Sequence, residues 1–363
     1  MKLSFLLALY LMPTTTFAQW KNNIWLYGRY NGNTSWPYWG ASKLTFENDT
    51  ITITTEPNMQ MNIKGTYTGL STPDNNYFIY SNGYTLANKN HDTLINGTGL
   101  SPGGTYNNWS NLGNPTPYSS ILLPLSGSDS YMAMIHNDNF NTNSLHAQNL
   151  YLSIIDPKFN NNQGAVTIKN QVVANDTFTV GGILVNRHAN GRDWWILLKR
   201  NNLNDFFTFL LTPTGIELKQ IQSMGGPIGL FGGQGAFSPN GNLLAAFSSS
   251  YQLRIYDFDR CTGNLSNMRY KYITNEAAGG ISFSPNSKYL FINSWEKLWQ
   301  FDLESINVLN SQTLITEYDT TYPDPATGLL AGFGYMYPAA DGKIYLQNFS
   351  GVMLNVINNP DMP

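Results

Sequence analysis

Charge is what this sequence has least of: 20 Lys plus Arg and 23 Asp plus Glu make up only 12% of its 363 residues, about half the roughly 25% usual in soluble domains. The net charge is −3 and no block of like charges occurs, so the clustered cations that bind nucleic-acid phosphates are missing. No nucleic-acid partner is expected. A single cysteine, Cys261, leaves no disulfide within the chain and no thiolate cluster for a metal. The four histidines, His91, His136, His146 and His188, lack the His-x-x-x-His or His-Glu spacing that sets two ligands on one face. Phosphate loops and dinucleotide fingerprints are likewise absent. Gly225 to Gly235 is glycine-rich but lacks the following Lys-Ser/Thr, and reads as close backbone passage between sheets near an axis. No catalytic residue, metal ligand or cofactor site is therefore expected, and no apolar run reaches the roughly 20 residues of a membrane-spanning helix.

What is present is hydrophobic (42%), aromatic (14%) and rich in turn formers, with 32 Gly and 18 Pro; that composition leans all-β. At the amino terminus, Lys2 precedes the apolar run Leu3 to Met12, then Pro13 and Thr16-Phe17-Ala18. This order reads as a secretory signal peptide over residues 1–18, cleaved before Gln19. Beyond it the sequence repeats. Alternating apolar strands recur at Leu150 to Asp156, Phe206 to Thr212, Leu253 to Asp259, Leu298 to Glu304 and Met353 to Asn359, with starts 45 to 56 residues apart. Ahead of each stands a turn signal. Phe237-Ser238-Pro239-Asn240-Gly241 returns as Phe283-Ser284-Pro285-Asn286-Ser287 and, more weakly, as Tyr337-Pro338-Ala339-Ala340-Asp341-Gly342 and Ser71-Thr72-Pro73-Asp74-Asn75. Proline fixes φ and Asn-Gly or Asp-Gly supplies φ > 0, so this is a hairpin turn with a mechanism. Short strands at this period predict one β-propeller over residues 19–363, seven blades of four antiparallel strands in the WD-like or PQQ-like superfold, without a helical domain. A solenoid, the competing repeat fold, usually has shorter repeats.

The most chemically loaded segment is Arg187-His188-Ala189-Asn190-Gly191-Arg192-Asp193-Trp194-Trp195. Arg187, His188, Arg192, Asp193 and Trp194 could form a ligand-contact loop that stacks on a sugar or binds a carboxylate. The alternative is an Asn-Gly turn into the strand Trp194 to Leu198, closed by Asp193 and the arginines, and this is the favoured reading. Asn137-Asp138-Asn139 to Asn143 lacks the Gly and distal Glu of a calcium loop and reads as a polar surface loop. A glycosidase would need paired carboxylates, for which Asp74, Asp193, Asp257, Asp302 and Asp341 are the residues to place.

Five segments in order, namely Leu70 to Asn90, Ser119 to Leu125, His188 to Trp195, Tyr256-Asp-Phe-Asp-Arg-Cys-Thr-Gly and Val356-Ile-Asn-Asn-Pro, resemble the secreted propeller region of Bacteroidetes proteins that carry a type IX secretion sorting or gliding-motility-associated carboxy-terminal domain. The resemblance implies a cell-surface or extracellular location after periplasmic transit, and no catalytic residues. It also implies truncation, because that family continues past the Ile-Asn-Asn-Pro segment with a cysteine-bearing strand and the sorting domain. Cys261, unpaired in an oxidising compartment, would then pair with that later cysteine. The expected function is an exported, non-catalytic binding or scaffold module with an unidentified protein or glycan partner. The alternatives are a glycan hydrolase or lyase at the central channel and a glycan-binding adhesin.

Overall fold

The computed structural model describes residues 23–27, 41–47, 50–72, 76–138, 146–201, 203–225, 233–248, 251–273, 278–319, 321, 323, 328, 330, 332–348 and 354–363. Residues 1–18, expected to be a signal peptide, lie outside them. The described chain is all-β: six sheets of three, eight, four, four, four and three strands, with two short α-helices, Gly104–Trp109 and Phe159–Asn162, and one 3-10 turn, Val308–Asn310. Consecutive strands pair antiparallel as meanders. The eight-stranded sheet is two such meanders joined edge to edge by a single parallel bridge between Ala165 and Ile95.

The two strongest predicted hairpins show their mechanism atom by atom, while residues 73–75 of the turn after Ser71 lie outside the described residues. Ser238 Oγ donates to Asn240 Oδ1 (2.7 Å) and accepts from the Leu243 amide (3.0 Å), while Gly241 N–H donates to Ser238 O (2.7 Å). The repeat reproduces this: Ser284 Oγ donates to Asn286 Oδ1 (2.7 Å) and accepts from the Tyr289 amide (2.9 Å). Gly241 and Ser287 occupy the same left-handed position, at φ 77° and 63°. Glycine is required at the first, where a Cβ would stand 2.7 Å from Arg260 Cδ and 2.8 Å from Asn186 Oδ1. The third strands after these turns carry the alternating apolar pattern read from the sequence, in Gln252–Phe258 and Lys297–Asp302 for example.

The first strands of successive meanders touch one another: Ile24–Tyr27 meets Thr68–Ser71, which meets Ser120–Pro124, while Leu184–Arg187, Gly233–Phe237, Ala278–Phe283 and Phe333–Pro338 follow in series. They therefore surround a common axis. The last strands face outward, and Thr313–Glu317 is exposed along its whole length. Between neighbouring sheets lies an apolar cluster, such as Ala245, Phe247, Leu253 and Ile255 against Ile281, Phe283, Leu290 and Phe301. The ring returns on itself: Trp25, Leu44 and Phe46 of the first sheet pack on Tyr345 of the last, with the Trp25 ring 5.7 Å from Tyr345 and 6.1 Å from Tyr337, both edge-on. The last sheet has three strands among the described residues, ending with Leu354–Ile357.

This is the β-propeller arrangement. Around the axis, close approach of inner strands demands small residues: a Cβ on Gly280 would stand 2.6 Å from Met336 N, and one on Gly235, in the glycine-rich segment, 2.9 Å from Leu184 of the neighbouring sheet, whereas Gly233 crowds the Phe247 carbonyl of its own sheet. Residues 226–232 lie outside the described residues.

Candidate functional site: a tyrosine-lined axis

Inner strands bring tyrosines to the axis from opposite sides of the ring. Tyr67 and Tyr118 directly precede the inner strands Thr68–Ser71 and Ser120–Pro124, and Tyr335 and Tyr337 alternate along Phe333–Pro338. Tyr118 meets Tyr335 edge-on at 5.6 Å and stacks on Tyr337 at 6.0 Å. These partners are far apart in the ring and meet only because the axis is narrow. Tyr27, ending the strand Ile24–Tyr27, lies beside Tyr337, and Tyr67 Oη donates to Ile24 O (3.1 Å). All five tyrosines are half-buried.

Gln234 ties the inner strands behind them. Its Nε2 donates to Met336 O (2.6 Å), and its Oε1 accepts from Met336 N (2.9 Å) and Ile281 N (3.0 Å). One carboxamide thus fixes three inner strands. Burial raises the phenol pKa values throughout: Tyr337 is pushed up to about 12, Tyr118 well above the ordinary range, and Tyr335, Tyr27 and Tyr67 in the same direction. At neutral pH these groups are protonated and act as O–H donors. The Tyr118 hydroxyl is screened from water, with the Tyr337 hydroxyl and the Gln234 carboxamide as its neighbours.

Outside the axis, His136 is enclosed between Ser101 (Oγ to Nδ1, 2.9 Å) and Ser153 (Oγ to Nε2, 2.9 Å). Ser101 donates its own proton to Gly83 O (3.1 Å), so it accepts from Nδ1–H, and Nε2 accepts from Ser153. Burial lowers the His136 pKa to about 3. It is a neutral core histidine, fully shielded from solvent. Among the described residues, His, Cys, Asp and Glu nowhere gather in threes.

The segment Arg187 to Trp194 forms the turn between the strands Leu184–Arg187 and Trp194–Lys199. Arg192 donates twice to Asp193, Nε to Oδ1 (2.8 Å) and Nη2 to Oδ2 (2.9 Å), and Asn190 Nδ2 donates to Oδ2 (2.7 Å). The Arg192 hydrogen bonds hold the Asp193 carboxyl below the usual carboxylate range. Arg187 lies 3.7 Å over the Trp194 ring, and the His188 ring tilts against Trp195 at 5.2 Å. Arg260 laces the turn with bonds to the carbonyls of Arg187 (3.0 Å) and Asn240 (3.3 Å). These contacts close the turn, and they lie at the opposite end of the inner strand from the level of Tyr67 and Tyr118.

The carboxylates occupy that same far end. Asp193 and Asp341 sit in turns that follow inner strands, Asp257 pairs with Arg269, and Asp302 closes the strand Lys297–Asp302. Each is engaged locally: Asp193 by Arg192, Asp257 by Arg269, Asp341 by Tyr345 Oη (2.7 Å) and Asp302 by the Glu304 amide (2.9 Å); Asp74 lies outside the described residues. Asp138 is saturated by the amides of Gln148 (2.8 Å) and Asn149 (2.7 Å) and by Asn149 Nδ2 (2.6 Å), and residues 139–145 lie outside the described residues. Cys261 is exposed in the turn after Gln252–Phe258, its amide bonded to Asp259 Oδ1 (2.8 Å). Sequence reasoning passed over the axial tyrosines. Their only mark is a tyrosine beside or within an inner strand, a signal indistinguishable from core packing until the ring closes.

No family model and no curated protein matches the sequence. The fold has solved relatives. The periplasmic gluconolactonase of Pseudomonas aeruginosa superposes with a TM-score of 0.56 at 13% identity, over 92% of this chain and 91% of that one. A Bacteroides fragilis protein assigned as a 6-phosphogluconolactonase gives 0.52 at 12% identity, over 95% and 100%. The β-propeller domain of Myceliophteria thermophila Cps50 (Swd1) gives 0.50 at 9% identity, over 87% and 91%. The expectation of a non-catalytic module is corrected here. It took a propeller without recognised nucleophile or metal motifs to be a binding scaffold, whereas this fold is shared end to end with a gluconolactonase, so those absences do not argue against catalysis. The chain has the β-propeller fold, and among the described residues no helix is long and apolar enough to cross a membrane.

Proposed function

We propose that this chain is a hydrolase of lactones, the cyclic esters of polyhydroxy acids, acting at the tyrosine-lined axis of a seven-bladed propeller built on a four-strand plan. One observation carries the reading: protonated phenols from opposite sides of the ring converge at Tyr118, Tyr335 and Tyr337. Hydrolysis adds water to the lactone carbonyl, develops negative charge on its oxygen and breaks the ring C–O bond to leave a hydroxy acid. Fixed O–H donors aimed at that oxygen stabilise the charge as it forms, and removing one such donor typically costs about 10²–10³ in kcat. Half-buried aromatic faces suit the C–H faces of a sugar-like ring. The gluconolactonase neighbours support this reaction class.

The test is direct. Purified protein should hydrolyse D-glucono-1,5-lactone or its 6-phosphate above the spontaneous rate, and Tyr118→Phe should lower kcat about tenfold to hundredfold with the melting temperature unchanged. No acceleration with either lactone would remove the proposal. Export belongs to the same reading: the Lys2 to Ala18 pattern and the resemblance to secreted Bacteroidetes propellers both support it, as does the periplasmic neighbour. Exported protein whose first residue is Gln19 is the expected result of amino-terminal sequencing.

A further inference from the structure

Gln234 is the polar residue of Gly233-Gln234-Gly235 in the inner strand Gly233–Phe237, and it is 6% exposed. Its strand neighbours Ala278–Phe283, which in turn neighbours Phe333–Pro338, and the carboxamide reaches past the first of these to the second. Gly280 leaves the passage open, since a Cβ there would crowd the Met336 amide and the Gly334 carbonyl. Gln234 holds Met336 at both backbone groups, Nε2 donating to its carbonyl (2.6 Å) and Oε1 accepting from its amide (2.9 Å). Met336 is the residue between Tyr335 and Tyr337. A backbone held at donor and acceptor together turns only by breaking buried bonds, so the two phenols leave this strand at fixed places.

A carboxamide has two N–H donors. One is taken by Met336, and the Gln234 carboxamide also neighbours the Tyr118 hydroxyl. The Tyr118 ring stacks on Tyr337 at 6.0 Å, and their hydroxyls lie beside one another. Their mutual influence orders the protons. The carboxamide favours the Tyr118 phenolate, as a donor to its oxygen does, and Tyr118 does the same for Tyr337. The order is Gln234 N–H, Tyr118 O–H, Tyr337 O–H, each donor polarised by the one before it.

We infer that Gln234 is the positioning residue of the axial site: it sets the strand that carries Tyr335 and Tyr337, and its second N–H orients Tyr118 so that Tyr337 presents its proton to the axis. This role deepens the proposed lactone hydrolysis, on which only the kinetic arm of its test rests. Gln234→Glu keeps an acceptor for the Met336 and Ile281 amides and loses the amide donors. In the full chain it should lower kcat for D-glucono-1,5-lactone about tenfold to hundredfold, with KM within about twofold. In a Tyr118→Phe background its cost should be at least about threefold smaller, because less remains to be oriented. Gln234→Met, which introduces no buried charge, is measured beside it and should show the same coupling. Equal costs in both backgrounds, or unchanged kcat in folded Gln234→Glu, would overturn the inference. If neither lactone is hydrolysed, urea unfolding of the same four proteins decides: the substitutions at Gln234 and Tyr118 should couple by about threefold or more in the unfolding equilibrium constant. Additive effects there would remove the role independently of the reaction.

Discussion

At the scale of single residues, the molecule separates groups that look alike in sequence by the partners that reach them. His136 and His188 are both histidines beside aromatic rings, yet one is sealed between two serines and the other sits on a turn. For His136 the consequence is pH dependence. Its folded-state pKa is lowered to about 3 from an unfolded value near 6.5, so the unfolded chain takes up the proton first. Stability is full above about pH 6.5 and falls by about 1.4 kcal/mol per pH unit below it. Urea titrations of His136→Gln should show a flatter pH profile between about pH 6.5 and 4, even though that variant starts less stable; an equal slope in both proteins would reassign the dependence. Asp193 also has a lowered pKa, held by Arg192, and contributes above the ordinary carboxylate value. Asp193→Asn should lose about 1–2 kcal/mol at pH 7, and the difference from wild type should vanish as the pH falls through the Asp193 titration. Its pairing with Arg192 and Asn190 was legible beforehand as a closed turn, because Asn-Gly next to Asp has strong local chemistry of its own.

At the scale of elements, local sequence and local structure agree closely. The Ser-Pro-Asn-Gly and Ser-Pro-Asn-Ser turns have the same serine and asparagine bonds, and differ where the fifth residue meets its surroundings. Gly241→Ala should cost about 1–3 kcal/mol, because both the φ of 77° and the contacts with Arg260 and Asn186 oppose a Cβ. Ser287→Gly relieves the left-handed φ of 63° but also removes the Oγ that accepts from the Asn240 amide (3.1 Å), so the two effects should leave it within about 1 kcal/mol of wild type. A thermal-melt comparison giving equal effects would show that the turns are not equivalent. The outer strands were less legible. The strand Ala165–Thr179, 15 residues long, shifts register several times against His146–Asp156, and its exposed polar run, Lys169-Asn170-Gln171, has no periodic signal. Pairing with the neighbouring strand, and not pattern, makes it a strand.

At the scale of the whole molecule, the ring depends on contacts between its ends. Trp25 is 7% exposed and touches Phe46, Tyr337 and Tyr345. Trp25→Ala should cost about 3–5 kcal/mol, whereas Ile53→Ala on the exposed strand Thr50–Thr55 should stay within about 0.5 kcal/mol. Chemical denaturation of the two variants measures this difference, and a small loss at Trp25 would mean that the first and last sheets are held by something else.

The sequence by itself determined the strands, the hairpin turns, the repeat and hence the propeller, because alternation and turn chemistry act over a few residues and repeat in each unit. Only the tertiary structure decided which residues share the axis. Tyr67, Tyr118 and Tyr335 lie 51 or more residues apart in the chain and carry no common motif. A tyrosine at an inner strand is equally suited to a core, and closure of the ring alone sets these phenols opposite one another. Strand direction, invisible in the residue types, likewise set Asp193 and Asp341 in turns after inner strands and Asp257 and Asp302 at the ends of third strands.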